Sequence, residues 1–289
     1  MREKRIIRAD TMGFCMGVRR AIELTEQTIS SSAKRPVYTF GPLIHNRLVL
    51  ERLHKQGIRE AESPDAVDEG TVIIRAHGVT PDVIETLQNR NISVVDATCT
   101  RVIASMRNAR NYSKKGYHII LVGDAEHGEI KAIAGYAGSY TVVELNGDCP
   151  DLAFPEKSVV IGQTTLREAD YDAVCRALKK RFPKIKIIHS ICPATEKRQQ
   201  ALRKLLEKVD AILVIGGRNS ANTKRLYETA KQRLAATWHV ETACDLPGNI
   251  GEFDTVGITA GASTPDWIID SIRSEEHTSE PPVTTHNLV

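Results

Sequence analysis

The chain has 289 residues, 41% of them hydrophobic and 26% charged, with 39 Lys and Arg against 36 Asp and Glu for a net charge of +3. This is the composition of a soluble globular protein with room for two or three small domains. The near-balanced charge argues against a nucleic-acid partner, no apolar run approaches the ~20 residues of a membrane span, and no signal-peptide pattern opens the chain, so a cytoplasmic protein is expected.

Apolar runs of four to six residues alternate with amphipathic stretches, the signature of βαβ units with parallel strands. In chain order, a strand at 5–8 precedes Gly13-Phe14-Cys15 and a helix over 18–27. A strand at 37–40 leads into Gly41-Pro42-Leu43-Ile44-His45-Asn46 and a helix over 47–56. A strand at 71–74 leads into Arg75-Ala76-His77-Gly78 and a helix over 81–90; a third at 93–95 ends in Asp96-Ala97-Thr98-Cys99 before a helix over 100–114. The order then repeats. The strand at 118–122 leads to His127-Gly128-Glu129 and a helix over 130–137, that at 158–161 to Gly162-Gln163-Thr164-Thr165 and a helix over 168–181, and that at 185–189 to Cys192 and a helix over 195–208. A third round starts at 211–215, with Ser220-Ala221-Asn222 and a helix over 223–234, and continues at 255–258 with Ser263 and a helix over 265–272. This round lacks its last strand and cysteine, which stand at the N-terminus instead. The sequence therefore predicts three α/β units closing into a ring: 16–99, 100–192 and 193–273, the last completed by residues 1–15. Residues 274–289, with two prolines and no period, are expected to be an irregular tail.

Six cysteines without a Cys-x-x-Cys exclude a disulfide scaffold, a zinc ribbon and classical ferredoxin spacing. Cys15, Cys99 and Cys192 share one place in the repeat, at a helix start, where the dipole favours thiolate. Ring closure would bring them together as ligands of a zinc ion or of three irons in a cubane cluster, and ligand count alone does not choose between the two. Cys149 and Cys244 match each other in a connector and Cys175 falls inside a helix, so these three are expected to be structural.

The strand-end loops also carry His45, His77, His127, Glu129, Thr164, Thr165, Ser220, Asn222 and Ser263 at recurring positions. Imidazoles, hydroxyls, an amide and helix N-termini at one place describe an anion site, most naturally for a phosphate or diphosphate. Glu129 is the single carboxylate among them and a candidate proton donor. His54, His118, His189 and His239 lie off these positions and are expected to be structural.

The motifs Gly13-Phe14-Cys15-Met16-Gly17-Val18, His45-Asn46, Ala76-His77-Gly78-Val79, Asp96-Ala97-Thr98-Cys99, His127-Gly128-Glu129, Gln163-Thr164-Thr165-Leu166, Ile191-Cys192-Pro193-Ala194-Thr195, Asn219-Ser220-Ala221-Asn222-Thr223 and Thr259-Ala260-Gly261-Ala262-Ser263 resemble the 4-hydroxy-3-methylbut-2-enyl diphosphate reductase family. The resemblance spans about residue 5 to residue 272. It implies a trefoil of three α/β domains around one [4Fe–4S] cluster, with Cys15, Cys99 and Cys192 as its ligands and a fourth iron open. By motif, His45, His77, His127, Thr164, Thr165, Ser220, Ala221, Asn222 and Ser263 would hold the substrate, and Glu129 with Thr164 would deliver protons. The implied reaction is reductive dehydration to isopentenyl and dimethylallyl diphosphates, the last step of the methylerythritol phosphate route to isoprenoids. A ferredoxin or flavodoxin is the implied electron donor, and a monomer is expected. Ala221 departs from the family, standing where some members carry a second serine. The tail after Arg273 does not resemble the usual C-terminal strand and cover.

Overall fold

The computed structural model describes residues 5–32, 34–145 and 153–278. Cys149, His286 and the last eleven residues of the expected tail lie outside the described residues.

Strand β1 (Arg5–Arg8) opens the chain, followed by helix α1 (Met16–Ser31). Strands β2 (Val37–Phe40), β3 (Ile58–Ala61), β4 (Thr71–Ile74) and β5 (Ser93–Asp96) alternate with α2 (Arg47–Lys55), α3 (Pro81–Asn89) and α4 (Thr100–Lys114). Strands β6 (His118–Val122), β7 (Tyr140–Val143), β8 (Ser158–Gly162) and β9 (Lys186–Ile188) follow with α5 (Gly128–Ala134), α6 (Glu168–Arg181) and α7 (Pro193–Leu206). The last part holds β10 (Ala211–Ile215), α8 (Ala221–Lys231), β11 (Thr237–Val240), β12 (Thr255–Ala260) and α9 (Asp266–Thr278).

Three four-stranded parallel sheets result, in the orders β3-β2-β4-β5, β7-β6-β8-β9 and β11-β10-β12-β1. They are one pattern written three times. In the third, the N-terminal strand supplies the last position, with Arg5 to Arg8 registered against Thr255 to Ile258. Two compact units divide the chain: Cys15–Gln199 contains the first two sheets, and Met1–Phe14 with Gln200–Val289 contains the third.

The central strands are mostly apolar, as expected of parallel strands covered on both faces. β4, β8 and β10 are buried at every residue. The strands β3, β7 and β11 were not anticipated from the sequence. Each is an edge strand beside the first strand of its sheet, and each has only its end residues or one face buried. Polar residues such as Arg59 and Glu60 on an exposed edge hide the apolar pattern that marks the central strands.

Helix α1 also extends beyond the expected end. The hydroxyls of Thr25, Thr28, Ser30 and Ser31 donate to the carbonyls four residues back, at 2.7–2.9 Å, which satisfies hydroxyl-rich turns within the helix. Helix α9 continues to Thr278, into the stretch expected to be irregular from residue 274.

In each sheet the strand order reverses direction between the first and second central strands: β2 and β4, β6 and β8, β10 and β12. Ligands of open parallel sheets bind at such switch points, outside the carboxyl ends of the strands. The loops leaving these six strands carry His45, His77, His127 with Glu129, Thr164, Ser220 with Asn222, and Ser263. Topology alone thus selects the loops that hold the polar candidates.

Candidate active site

Cys15, Cys99 and Cys192 each precede a helix, α1, α4 and α7. Cys15 is the N-cap of α1, its Sγ accepting from the Val18 N–H at 3.4 Å. Cys99 caps α4, and its N–H donates to the Ala76 carbonyl at 3.0 Å, tying it to the residue before His77. The Cys192 N–H donates to the Thr164 carbonyl at 2.9 Å. Burial pushes the Cys99 thiol up; the backbone N–H of Arg101 and then that of Val102 pull it down, and Cys15 and Cys192 add to the upward push. Gly17 is what allows this approach. A Cβ there would stand 2.6 Å from Cys99 Sγ and 3.9 Å from Cys15 Sγ.

One buried cation faces this cluster. Arg198, 3% exposed on α7, donates to the Ala194 carbonyl at 2.8 Å. Burial pulls its pKa down, while Cys15 and Cys192 push it back up. Sequence reasoning missed Arg198, because one arginine in a helix rich in Lys and Arg carries no signal. Its spacing of six from Cys192 acquires meaning only once the helix is placed.

Among the described residues, the only three metal-ligating groups whose donor atoms lie within 4.8 Å of one another are His45, His77 and His127. The three thiols are a separate set, and three sulfur donors at helix starts suit a zinc ion or the irons of a cluster alike.

The histidines belong to different chemistry. Their ring centroids are 4.5 Å (His45–His77), 5.3 Å (His77–His127) and 5.8 Å (His45–His127) apart. His127 caps α5, its Nδ1 accepting from the Glu129 N–H at 3.2 Å. A neutral ring that accepts at Nδ1 carries its proton on Nε2, where it is a donor and not a metal ligand. Burial, with repulsion from His45, His127 and Arg75, holds His77 well below the ordinary histidine range. Donors, a positive neighbour and the N-terminus of α5 together favour an anion over a cation at this cluster.

Glu129 is 1% exposed. Both of its carboxylate oxygens accept from Thr164, Oε1 from the backbone N–H at 2.6 Å and Oε2 from the Oγ1 hydroxyl at 2.9 Å. Because the Thr164 carbonyl holds the Cys192 N–H, one residue joins the carboxylate to the thiol loop. Thr165 Oγ1 accepts from Gln163 Nε2 at 3.0 Å.

In the other unit, Ser220 caps α8 through an Oγ that accepts from the Thr223 N–H at 3.3 Å. Thr264 Oγ1 donates to the Ile215 carbonyl at 3.2 Å, which brings the loop of Ser263 to the end of β10. Gly216, at φ 144°, makes room, since a Cβ would lie 2.5 Å from Thr264 Oγ1. Asn222 is 4% exposed, and its Nδ2 is buried with no hydrogen-bond acceptor among the described residues. Ala221 takes the first position of α8, partly exposed.

The four histidines expected to be structural make bonds away from the cluster: His54 with the Ile58 carbonyl, His118 with Ser139 and Thr141, His189 with Glu168, His239 with the Gly216 carbonyl. Cys175 is buried in the core of the second sheet, its thiol pushed up to about 11 by burial. Cys244 is exposed in a short turn between β11 and β12.

Repeated parallel sheets, a buried glutamate at a switch-point loop and three thiols at the starts of α1, α4 and α7 fit an α/β enzyme built around a metallocofactor. The chain belongs to the LytB protein family, whose model matches residues 6–275. It is similar to 4-hydroxy-3-methylbut-2-enyl diphosphate reductase of Treponema denticola, 42% identical over 93% of this chain and 97% of that one, and to that of Aquifex aeolicus, 38% identical over 93% and 94%. Among solved structures, it resembles (E)-4-hydroxy-3-methyl-but-2-enyl diphosphate reductase, the terminal enzyme of the non-mevalonate pathway, with 38% identity, TM-score 0.72 and coverage of 96% of this chain and all of that one. It also resembles the Plasmodium falciparum reductase, with 30% identity, TM-score 0.87 and coverage of 97% and 89%. Membership implies an iron–sulfur cofactor. No helix among the described residues is long and apolar enough to cross a membrane.

Proposed function

We propose that this chain catalyses the reductive dehydration of 4-hydroxy-3-methylbut-2-enyl diphosphate to isopentenyl and dimethylallyl diphosphates. The observation that carries this reading is the linked chain from Glu129 through Thr164 to Cys192, beside a histidine cluster suited to an anion. The reaction consumes two electrons and two protons and releases water. The domain limits at residues 15, 99 and 192 form part of the same proposal.

Cys15, Cys99 and Cys192 would hold a [4Fe–4S] cluster with one iron free of protein ligands. Three thiols at helix starts, with Gly17 leaving room for Cys99 Sγ, fit such a group. When bound it supplies electrons one at a time and Lewis acidity toward the substrate hydroxyl. His45, His77 and His127 bind the diphosphate through ring N–H donors. Ser220, Ala221, Asn222 and Ser263 are assigned to the same substrate by the order of their motifs. Diphosphate binding fixes the five-carbon chain, so its hydroxyl is oriented by binding energy from the non-reacting end. Thr164 Oγ1 passes a proton from Glu129 to the leaving oxygen, and Thr165 borders that path. The short carboxylate–hydroxyl contact lies away from bulk water, so the proton is delivered where the leaving oxygen needs it.

The test is anaerobic incubation of the iron-replete protein with this substrate and a chemical reductant. The two isomeric five-carbon diphosphates are the expected products. Iron-replete protein that leaves the substrate unconsumed would sink the reading.

A further inference from the structure

The histidine cluster has a neighbour whose charge is not accounted for. Arg75 follows β4 and stands two residues before His77, and it is partly buried. Its Nε donates to the Gly78 carbonyl at 3.4 Å. Its guanidinium lies across two glycines: a Cβ at Gly41 would stand 2.7 Å from Nη1, and one at Gly128 would stand 2.9 Å from Nη2. Gly41 leads toward His45, and Gly128 lies between His127 and Glu129 at the start of α5. The two terminal nitrogens thus reach the loops that carry the other two histidines.

Among the described residues no carboxylate forms an ion pair with Arg75. Glu60, exposed on the edge strand β3, acts on it only at a distance. A partly desolvated guanidinium without a close counter-ion is unfavourable by itself. Here it also repels His77, which is held neutral in part for that reason. A neutral His77 donates a hydrogen bond but brings no charge to a diphosphate carrying two or more negative charges. A planar fork with four terminal N–H groups matches two phosphate oxygens at once.

We propose that Arg75 is a substrate-binding residue that supplies a fixed positive charge to the diphosphate site. This rests on the reading of that cluster as the diphosphate site. Gly41 and Gly128 are small because the guanidinium crosses them to reach the anion. Arg75 was passed over in the sequence because the strand-end motif draws attention to His77, and an arginine at a strand end is common.

The experiment is calorimetric titration of the cofactor-loaded enzyme with inorganic diphosphate at pH 8, at two ionic strengths. Arg75→Gln keeps an amide able to bond the Gly78 carbonyl but has no charge. Arg75→Lys keeps the charge without the fork, and His45→Ala is the comparator. Iron content and melting temperature, matched to the parent, establish that each variant is folded and loaded. Arg75→Gln is expected to bind diphosphate at least about tenfold more weakly, as for loss of a charge-assisted contact, with a shallower salt dependence. Arg75→Lys is expected to recover part of the affinity. Parental affinity and salt dependence in Arg75→Gln, together with weakened binding in His45→Ala, would overturn the assignment of Arg75 and leave the site in place. Parental binding in both variants would overturn the site as well. If Arg75→Gln does not fold, Arg75→Lys decides: its affinity must stay closer to the parent than that of His45→Ala, and the reverse order refutes the proposal.

Discussion

Replacing Glu129 by glutamine isolates proton delivery from everything else the site does. The side chain keeps its length, and its amide oxygen can still accept from the Thr164 N–H now 2.6 Å from Oε1. The amide nitrogen then faces Thr164 Oγ1, at 2.9 Å from Oε2 in the parent, and reverses the donor direction there. Both bonds to the carboxylate become neutral ones, so the fold loses on the order of 1–2 kcal/mol. The catalytic loss is larger. An amide does not hand on the proton that Thr164 relays, and general acid catalysis contributes at least about 10², or about 2.7 kcal/mol of barrier. The assay is single-turnover product formation with chemically reduced enzyme, beside iron analysis and substrate titration on the same preparation. Normal iron, near-parental binding and a rate reduced about 100-fold or more are expected. A rate within a few-fold of the parent would refute the relay and leave Glu129 as a buried anchor for Thr164.

Cys15→Ser, Cys99→Ser and Cys192→Ser should each lose iron, whereas Cys175→Ser and Cys244→Ser should keep it; full iron in Cys99→Ser would break the assignment. Gly17→Ala places a Cβ 2.6 Å from Cys99 Sγ. That overlap forces the thiol or the helix start to move, so this variant should hold less iron than the parent, and full loading would show that the cysteines need no such clearance. Because His77 is held well below 6.5 by burial and its positive neighbours, the unfolded chain binds a proton that the folded chain refuses. Stability is therefore fully present above about pH 6.5 and falls as the pH drops below it. The substrate-free protein should lose less stability across that window as His77→Gln, and identical slopes in denaturant melts at pH 5 and pH 8 would count against the buried neutral imidazole.

The parts of this molecule that repeat are the parts its sequence discloses. Val72, Ile73 and Ile74 are buried on both faces of a central strand, so an uninterrupted apolar run marks β4, and the same holds for β8 and β10. The edge strands left no such mark. In β3 only Ile58 and Ala61 face inward, and no two-residue period survives. The position of the cysteines before three helices was legible because helix starts follow strand ends in every βαβ unit. The clearance at Gly17 was not, since it depends on Cys99, a residue distant in the chain. Arg198 and Arg75 were invisible for a related reason. Their meaning lies in which thiols and imidazoles surround them, and no local pattern records that.

The central claim is that three thiolates hold an iron–sulfur cluster, and iron and acid-labile sulfide analysis of anaerobically purified protein tests it most directly. About four irons and four sulfides per chain, with the brown colour of a [4Fe–4S] cluster, are the predicted result. A colourless preparation with one zinc per chain, lost on Cys99→Ser, would contradict it.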